Sequence, residues 1–246
     1  MLFEWAGLSD QGNIRKKNED ILTCHPDEGF FIIADGMGGH KAGEIAAKRA
    51  SAHISELIHN HIETFKETRI YSEKQIKQLL HASMISTNQY VYNLGQNNQQ
   101  YRGMGTTLCC LYIKQKKAYL AHVGDSRIYL LRRKILQQLT EDHSLLNRFK
   151  KTPIHKNSNQ YRHIITQAIG TTTHIAPDIS SMVWHQDDLF FLCTDGLSDY
   201  VDYEEIKNIL VTSDLDLKAR AQILIETAKK NGSLDNITVL LLKVQS

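Results

Sequence analysis

The sequence predicts an α+β fold in which sheets pack on each other with helices outside. Three observations carry that prediction. Apolar runs of strand length outnumber helix-length amphipathic patterns. Several runs are joined too tightly for a crossover helix, which forces antiparallel pairing. The two longest helical patterns fall together between residues 42 and 96 instead of alternating with strands.

In order, strands are predicted over residues 2–8, 20–24 and 29–34, each an apolar run bounded by polar or turn residues. Helices follow over 42–63 and 73–96, the second opened by Ser72 and Gln75 at capping-box spacing. Strands 106–113, 117–123 and 127–132 form a tightly connected antiparallel series. Two further strands cover 180–184 and 188–194. Helix 203–211 has Asp202 and Glu205 at its start, and helix 217–230 runs into Lys229, Lys230 and Gly232, which suit a C-terminal stop. A last apolar strand covers 236–244.

With 246 residues, few prolines and no low-complexity linker, the chain reads as one domain, 1–246, long enough to bury a sizeable core. A formal net charge of +2 gives no polyelectrolyte signature for nucleic acid. Met1-Leu2-Phe3-Glu4-Trp5 does not open a signal peptide, and no segment reaches membrane-spanning length, so a cytoplasmic protein is expected. The four cysteines, among them the pair Cys109-Cys110, lack C-x-x-C spacing and read as small buried side chains. No heptad pattern points to a coiled-coil partner, and a monomer is expected.

Two segments look alike. Phe30-Phe31-Ile32-Ile33-Ala34 runs into Asp35-Gly36, and Leu189-Phe190-Phe191-Leu192-Cys193-Thr194 runs into Asp195-Gly196. Taken singly, each Asp-Gly is better read as a turn. Two more strand-end aspartates alter that balance: Asp125, at a Gly-Asp corner between two strands, and Asp235, at the entrance to the last one. Asn18-Glu19-Asp20 adds a further acidic cluster. Carboxylates brought together must share protons or bind a cation, and oxygen-only ligands favour a hard ion such as Mg²⁺ or Mn²⁺.

Placed in order, the motifs resemble the metal-dependent protein phosphatases of type 2C, the PPM family, and most of all their compact bacterial members. The resemblance runs through Gly12-Asn13-Ile14-Arg15, Asn18-Glu19-Asp20, Asp35-Gly36-Met37-Gly38-Gly39-His40 with Gly43-Glu44, and Gly103-Met104-Gly105-Thr106-Thr107. It continues through His122 to Arg127, Asp142-His143-Ser144, Ile165 to Gly170, Thr194 to Asp199, and Asp235-Asn236. It implies a four-layer α-β-β-α sandwich of two antiparallel sheets, with two divalent ions, Mn²⁺ or Mg²⁺, at one end. Asp35 would be shared by both ions, the Gly36 carbonyl would bind one, and Asp195 and Asp235 would bind the other. Glu19 and Asp20 would hold ion-bound waters. Asp125 and Asp199 match positions for a third, weaker ion.

The resemblance also implies hydrolysis of phosphoserine and phosphothreonine on proteins by a metal-activated water, with no phosphoenzyme. Arg15 matches the guanidinium that would hold two phosphate oxygens, although by itself it is one charge in the run Arg15-Lys16-Lys17. His40 is either the proton donor to the leaving oxygen or a helix-start residue, with equal weight. His122 reads as a hydrogen-bonded core or turn histidine, and His53, His59 and His61 as solvated. The stretch between Asp142 and Ile165, where the family has a flap, reads as polar, basic and irregular. It would contact substrate, or is a solvated loop. The expected partners are phosphoproteins and a bacterial-type Ser/Thr kinase whose action is reversed, for instance one regulating a secretion system or a cell-envelope process. The alternative is a catalytically silent phosphatase-like binding module, which the intact Asp35, Asp195 and Asp235 disfavour.

Overall fold

A computed structural model describes residues 3–37, 42–64, 71–150, 161 and 164–245. The strands are β1 (Phe3–Asp10), β2 (Asp20–His25), β3 (Phe30–Met37), β4 (Gly105–Thr106), β5 (Leu108–Lys114), β6 (Lys117–Val123), β7 (Arg127–Arg132), β8 (Ile135–Gln138), β9 (Asp178–Val183), β10 (Leu189–Cys193) and β11 (Ile237–Val244). The helices are α1 (Ala42–Thr64), α2 (Glu73–Asn97), α3 (Leu145–Lys150), α4 (Asp195–Ser198), α5 (Tyr203–Val211) and α6 (Leu217–Lys230).

Every strand pair is antiparallel. One sheet runs β1-β11-β10-β7-β8, the other β2-β3-β5-β6-β9 with β4 on β3. Alternation along each strand builds three apolar layers. On β3, Phe30, Ile32 and Ala34 face α1 and α2, while Phe31 and Ile33 pack against Ile128, Phe190, Leu192 and Leu240 of the other sheet. A strand covered on both sides reads as an unbroken apolar run, which is why this one stands out in the sequence. The opposite face of β10 and β11, with Phe191, Val239 and Leu241, receives α5 and α6. The four-layer sandwich is therefore as expected.

Alanines 46, 47 and 50 on the buried face of α1 let the helix lie close to β3. Ser72 and Gln75 form the full capping box of α2, and Asp202 accepts from Glu205 N to cap α5. Gly232, at φ +86°, follows the end of α6 in a conformation that L side chains rarely adopt. Cys109, Cys110 and Cys193 are buried, Cys24 is half-buried, and all four are free thiols.

Three expectations need correction. The strand predicted over 106–113 is broken at Thr107, where Asp35 N–H donates to the threonine side chain, Oγ1 at 2.9 Å, while Thr107 N–H donates to Asp35 O at 2.9 Å. The stretch after Asp142 is not wholly irregular, because residues 145–150 form α3. The rest of that basic segment, 151–160 and 162–163, lies outside the described residues. The short β8 and α4 were not anticipated.

Candidate metal centre

The acidic residues converge because both sheets end at the same side of the sandwich. Asp35 lies near the end of β3, opposite Asp20, the first residue of β2. Its strand does not turn at Asp-Gly but continues to Met37, held by β4 through Gly36↔Thr106. Asp195 behaves differently: its Asp-Gly opens the helical turn α4 directly after β10. Asp235 precedes β11, the neighbour of β10. Glu19, Asp35, Gly36, Asp195, Asp199, Asp235 and Arg15 all line one cleft of about 660 Å³.

Arg15 is exposed, and its Nη2 donates to Asp235 Oδ2 at 2.6 Å. That bond, with the nearby Asp35 and Glu19 charges, raises the guanidinium pKa, so the group stays charged. Behind the cleft floor, Asp20 is buried, and its Oδ2 accepts from Thr194 Oγ1 at 2.9 Å and Thr238 Oγ1 at 2.7 Å, both from the facing sheet. Asn236 ties the loop after β1 into place. Its Nδ2 donates to Gln11 O and Lys17 O, each at 2.8 Å, and its Oδ1 accepts from Glu19 N at 2.8 Å. Thr107 Oγ1 accepts from Asp35 N at 2.9 Å. Two glycines permit the close approach of β3 and α1: a Cβ at Gly36 would lie 2.3 Å from Gly43 O, and one at Gly43 would lie 2.2 Å from Glu19 Oε2.

Electrostatically the centre is overloaded with negative charge. Burial, then Asp20, Asp195, Asp125 and Asp235, drive Asp35 well above the ordinary carboxylate range. Burial lifts Asp20 to about 7 against the pull of its two threonines. Asp125 rises to about 8, through burial and then Asp195, Asp142 and Asp199. Glu19 is also raised, by burial and less by Glu44, while Arg15 opposes. Asp125 Oδ1 is buried with no hydrogen-bond partner. Clustered carboxylates and an orphaned carboxylate oxygen are what a hard divalent ion would satisfy, so the donor set fits one or more such ions.

The family profile of protein phosphatase 2C matches residues 15–232. The chain belongs to the protein phosphatase 2C family. Among relatives of this 2C-type chain, protein phosphatase PhpP of Streptococcus pneumoniae is 36% identical over 244 residues, covering 96% of each chain. A solved serine/threonine phosphatase of S. agalactiae superposes with a TM-score of 0.87 at 33% identity, over 99% of this chain and all of that one. The catalytic domain of the phosphatase PstP, solved in complex with two manganese ions, superposes with a TM-score of 0.84 at 29% identity, over 99% of each chain.

Of the residues singled out in the sequence, His40 lies outside the described residues. Asp125 is close in charge to Asp195 and Asp199 but does not line the cleft. His122 is in the core as expected, with only weak hydrogen bonding, to the Gly124 and Ser126 backbone. His53 stacks on Tyr90 at 4.4 Å between ring centres and is not simply solvated. Sequence reasoning gave no role to Thr107, Thr194, Thr238 or Asn236. Thr107, Thr194 and Asn236 lay within the matched motifs, whereas Thr238 lay in none.

Proposed function

We propose that this protein phosphatase hydrolyses phosphoserine and phosphothreonine monoesters on proteins with the help of two divalent ions, Mn²⁺ or Mg²⁺. Asp35, the Gly36 carbonyl, Asp195 and Asp235 are the direct ligands in this reading, and Glu19 and Asp20 act through waters. Such ions supply a water acidified enough to attack phosphorus near neutral pH and positive charge for the phosphate oxygens. Convergence of these carboxylates with one guanidinium in a single cleft supports the reading most.

The chain's own groups do the positioning. Asp20, fixed by Thr194 and Thr238 from the facing sheet, holds the two sheets in register behind Asp35. Arg15 sits at the cleft edge with a planar fork suited to two phosphate oxygens, and its bond to Asp235 fixes where that fork points. Attack by water releases the seryl or threonyl hydroxyl and inorganic phosphate, and the leaving oxygen takes a proton. We assign that proton donation to His40. Asp125 and Asp199 are assigned to a third, weaker ion. In the cell the reaction would reverse a Ser/Thr kinase, with secretion-system or envelope signalling as the setting to examine first.

The test is phosphate release from a phosphothreonine peptide with EDTA, Mg²⁺ or Mn²⁺, and with Asp35→Asn as control. Release only with metal, lost in the variant, is expected. No release under any condition, with phosphopeptide binding retained, would instead favour a silent binding module.

A further inference from the structure

Away from the carboxylate cleft, three residues from separate segments meet: His122 on β6, His143 after β8, and Asp178 on β9. One ligand atom from each lies within 4.8 Å of the other two, and this is the one such group among the described residues. The convergence is built by the sheet. His122 and Asp178 are register partners on β6 and β9, and the His143 ring lies 4.8 Å from the His122 ring, centre to centre. His143 is itself anchored, since its N–H donates to Gly124 O at 2.8 Å and its carbonyl accepts from Thr166 N at 2.7 Å. The neighbouring Asp142 is gripped by Arg127 through Nε and Nη2.

His122 is the unexplained member. It is 1% exposed, and neither ring nitrogen makes a hydrogen bond of good geometry, the Gly124 and Ser126 backbone offering only weak ones. Burial and the adjacent His143 hold it neutral, pushed down to about 3, so a lone pair is available throughout the neutral range. A neutral imidazole buried with so little hydrogen bonding is poorly accommodated unless something ligates it. His143 Nε2 faces Asp178 Oδ2 at 3.1 Å. The Asp178 side chain is 63% exposed and borders, with His143, a cavity of about 490 Å³, which leaves room for a water as fourth ligand.

We propose that His122, His143 and Asp178 form a binding site for a borderline transition-metal ion of the Zn²⁺ class, distinct from the carboxylate centre. Two imidazoles and one carboxylate suit Zn²⁺ or Co²⁺, whereas an oxygen-only cluster suits Mg²⁺ and Mn²⁺. Ligand atoms around tetrahedral Zn²⁺ lie about 3.3 Å apart, so the trio must close by roughly 1 Å or more. The exposed Asp178 side chain and rotation of the His143 ring about its anchored backbone can supply that movement. Coordination through His143 Nε2 shifts that ring's proton to Nδ1 and ends the long 3.2 Å bond that Nδ1 accepts from Gly124 N–H. The ion would pin the loop before α3 to β6 and β9, and with it the segment that brings Ile165 to the wall of the catalytic cleft.

Co²⁺ titration of the whole chain in saturating Mg²⁺ tests the site without reference to hydrolysis. Mg²⁺ keeps the oxygen ligands filled, and tetrahedral Co²⁺ absorbs far more strongly in the visible than octahedral Co²⁺. One equivalent should give an intense band that Zn²⁺ abolishes. His143→Ala should remove the band, and Asp178→Asn, at an exposed position that leaves the fold intact, should weaken Co²⁺ binding at least about 10-fold. No intense band in the wild type, or a band unchanged in Asp178→Asn, would overturn the proposal and leave the trio as a packing cluster.

Discussion

Asp35 concentrates the strain of the centre, because it sits among four other carboxylates and is lifted above the normal range by burial and by them. Asp35→Asn should therefore melt higher than the wild type in EDTA, while hydrolysis falls by more than the roughly 10–100-fold typical of changes behind a metal ligand. Calorimetry and phosphate release on the same preparation check both halves. Arg15→Ala should lower kcat/KM by about 100-fold, the scale of losing one charge-stabilising donor, and Arg15→Lys should recover little of it because an ammonium lacks the fork. Asp35, Asp195 and Asp235 stood out in the sequence through the ordered set of motifs they belong to, since an Asp-Gly taken singly reads as a turn. The roles of Thr194 and Thr238 did not. A threonine in or beside a strand satisfies ordinary β preference, and only the facing of two sheets turns both hydroxyls onto Asp20.

The elements legible from sequence were those whose pattern needs no partner. The doubly buried strands β3, β5, β6, β10 and β11 and the long helices α1 and α2 all declare themselves locally. The two-residue β4, the four-residue β8 and α4 depend on what they pack against, so their sequences carry too few residues to show a period. The junction of β3 with α1 is the element-level weak point. Gly36→Ala would drive a Cβ to 2.3 Å from Gly43 O and 2.7 Å from Glu19 O, both backbone atoms. A loss of about 1–3 kcal/mol is expected. It should be readable by urea denaturation, and metal affinity should fall with it as Asp35 is displaced.

For the whole molecule, the raised carboxylates set the pH dependence of the chelated form. Asp20, ordinarily at 3.8, titrates at about 7 when folded, and Asp125 at about 8, so between pH 4 and 8 the folded chain holds protons that the unfolded chain has released. Stability from these groups is full below about pH 4 and is lost as pH rises through 7 to 8. In EDTA the protein should thus melt lower at pH 8 than at pH 5. His122, pushed down to about 3, works the other way, because at pH 5 the unfolded imidazole is protonated and the folded one is not, but by less than the two carboxylates together. Saturating Mn²⁺ or Mg²⁺ should reverse it, adding about 2.7 kcal/mol at 100 times the dissociation constant. Differential scanning calorimetry across pH with and without metal would show this. The strand order also places a clock on the protein's birth. The edge strand β1 pairs with β11, and β11 separates it from β10. At roughly 5–20 residues per second, β1 waits some tens of seconds on the ribosome for its neighbour. Until Asp235 and β11 emerge, Arg15 has no carboxylate to align it, so on the proposed mechanism a nascent chain stays idle until β11 has been made.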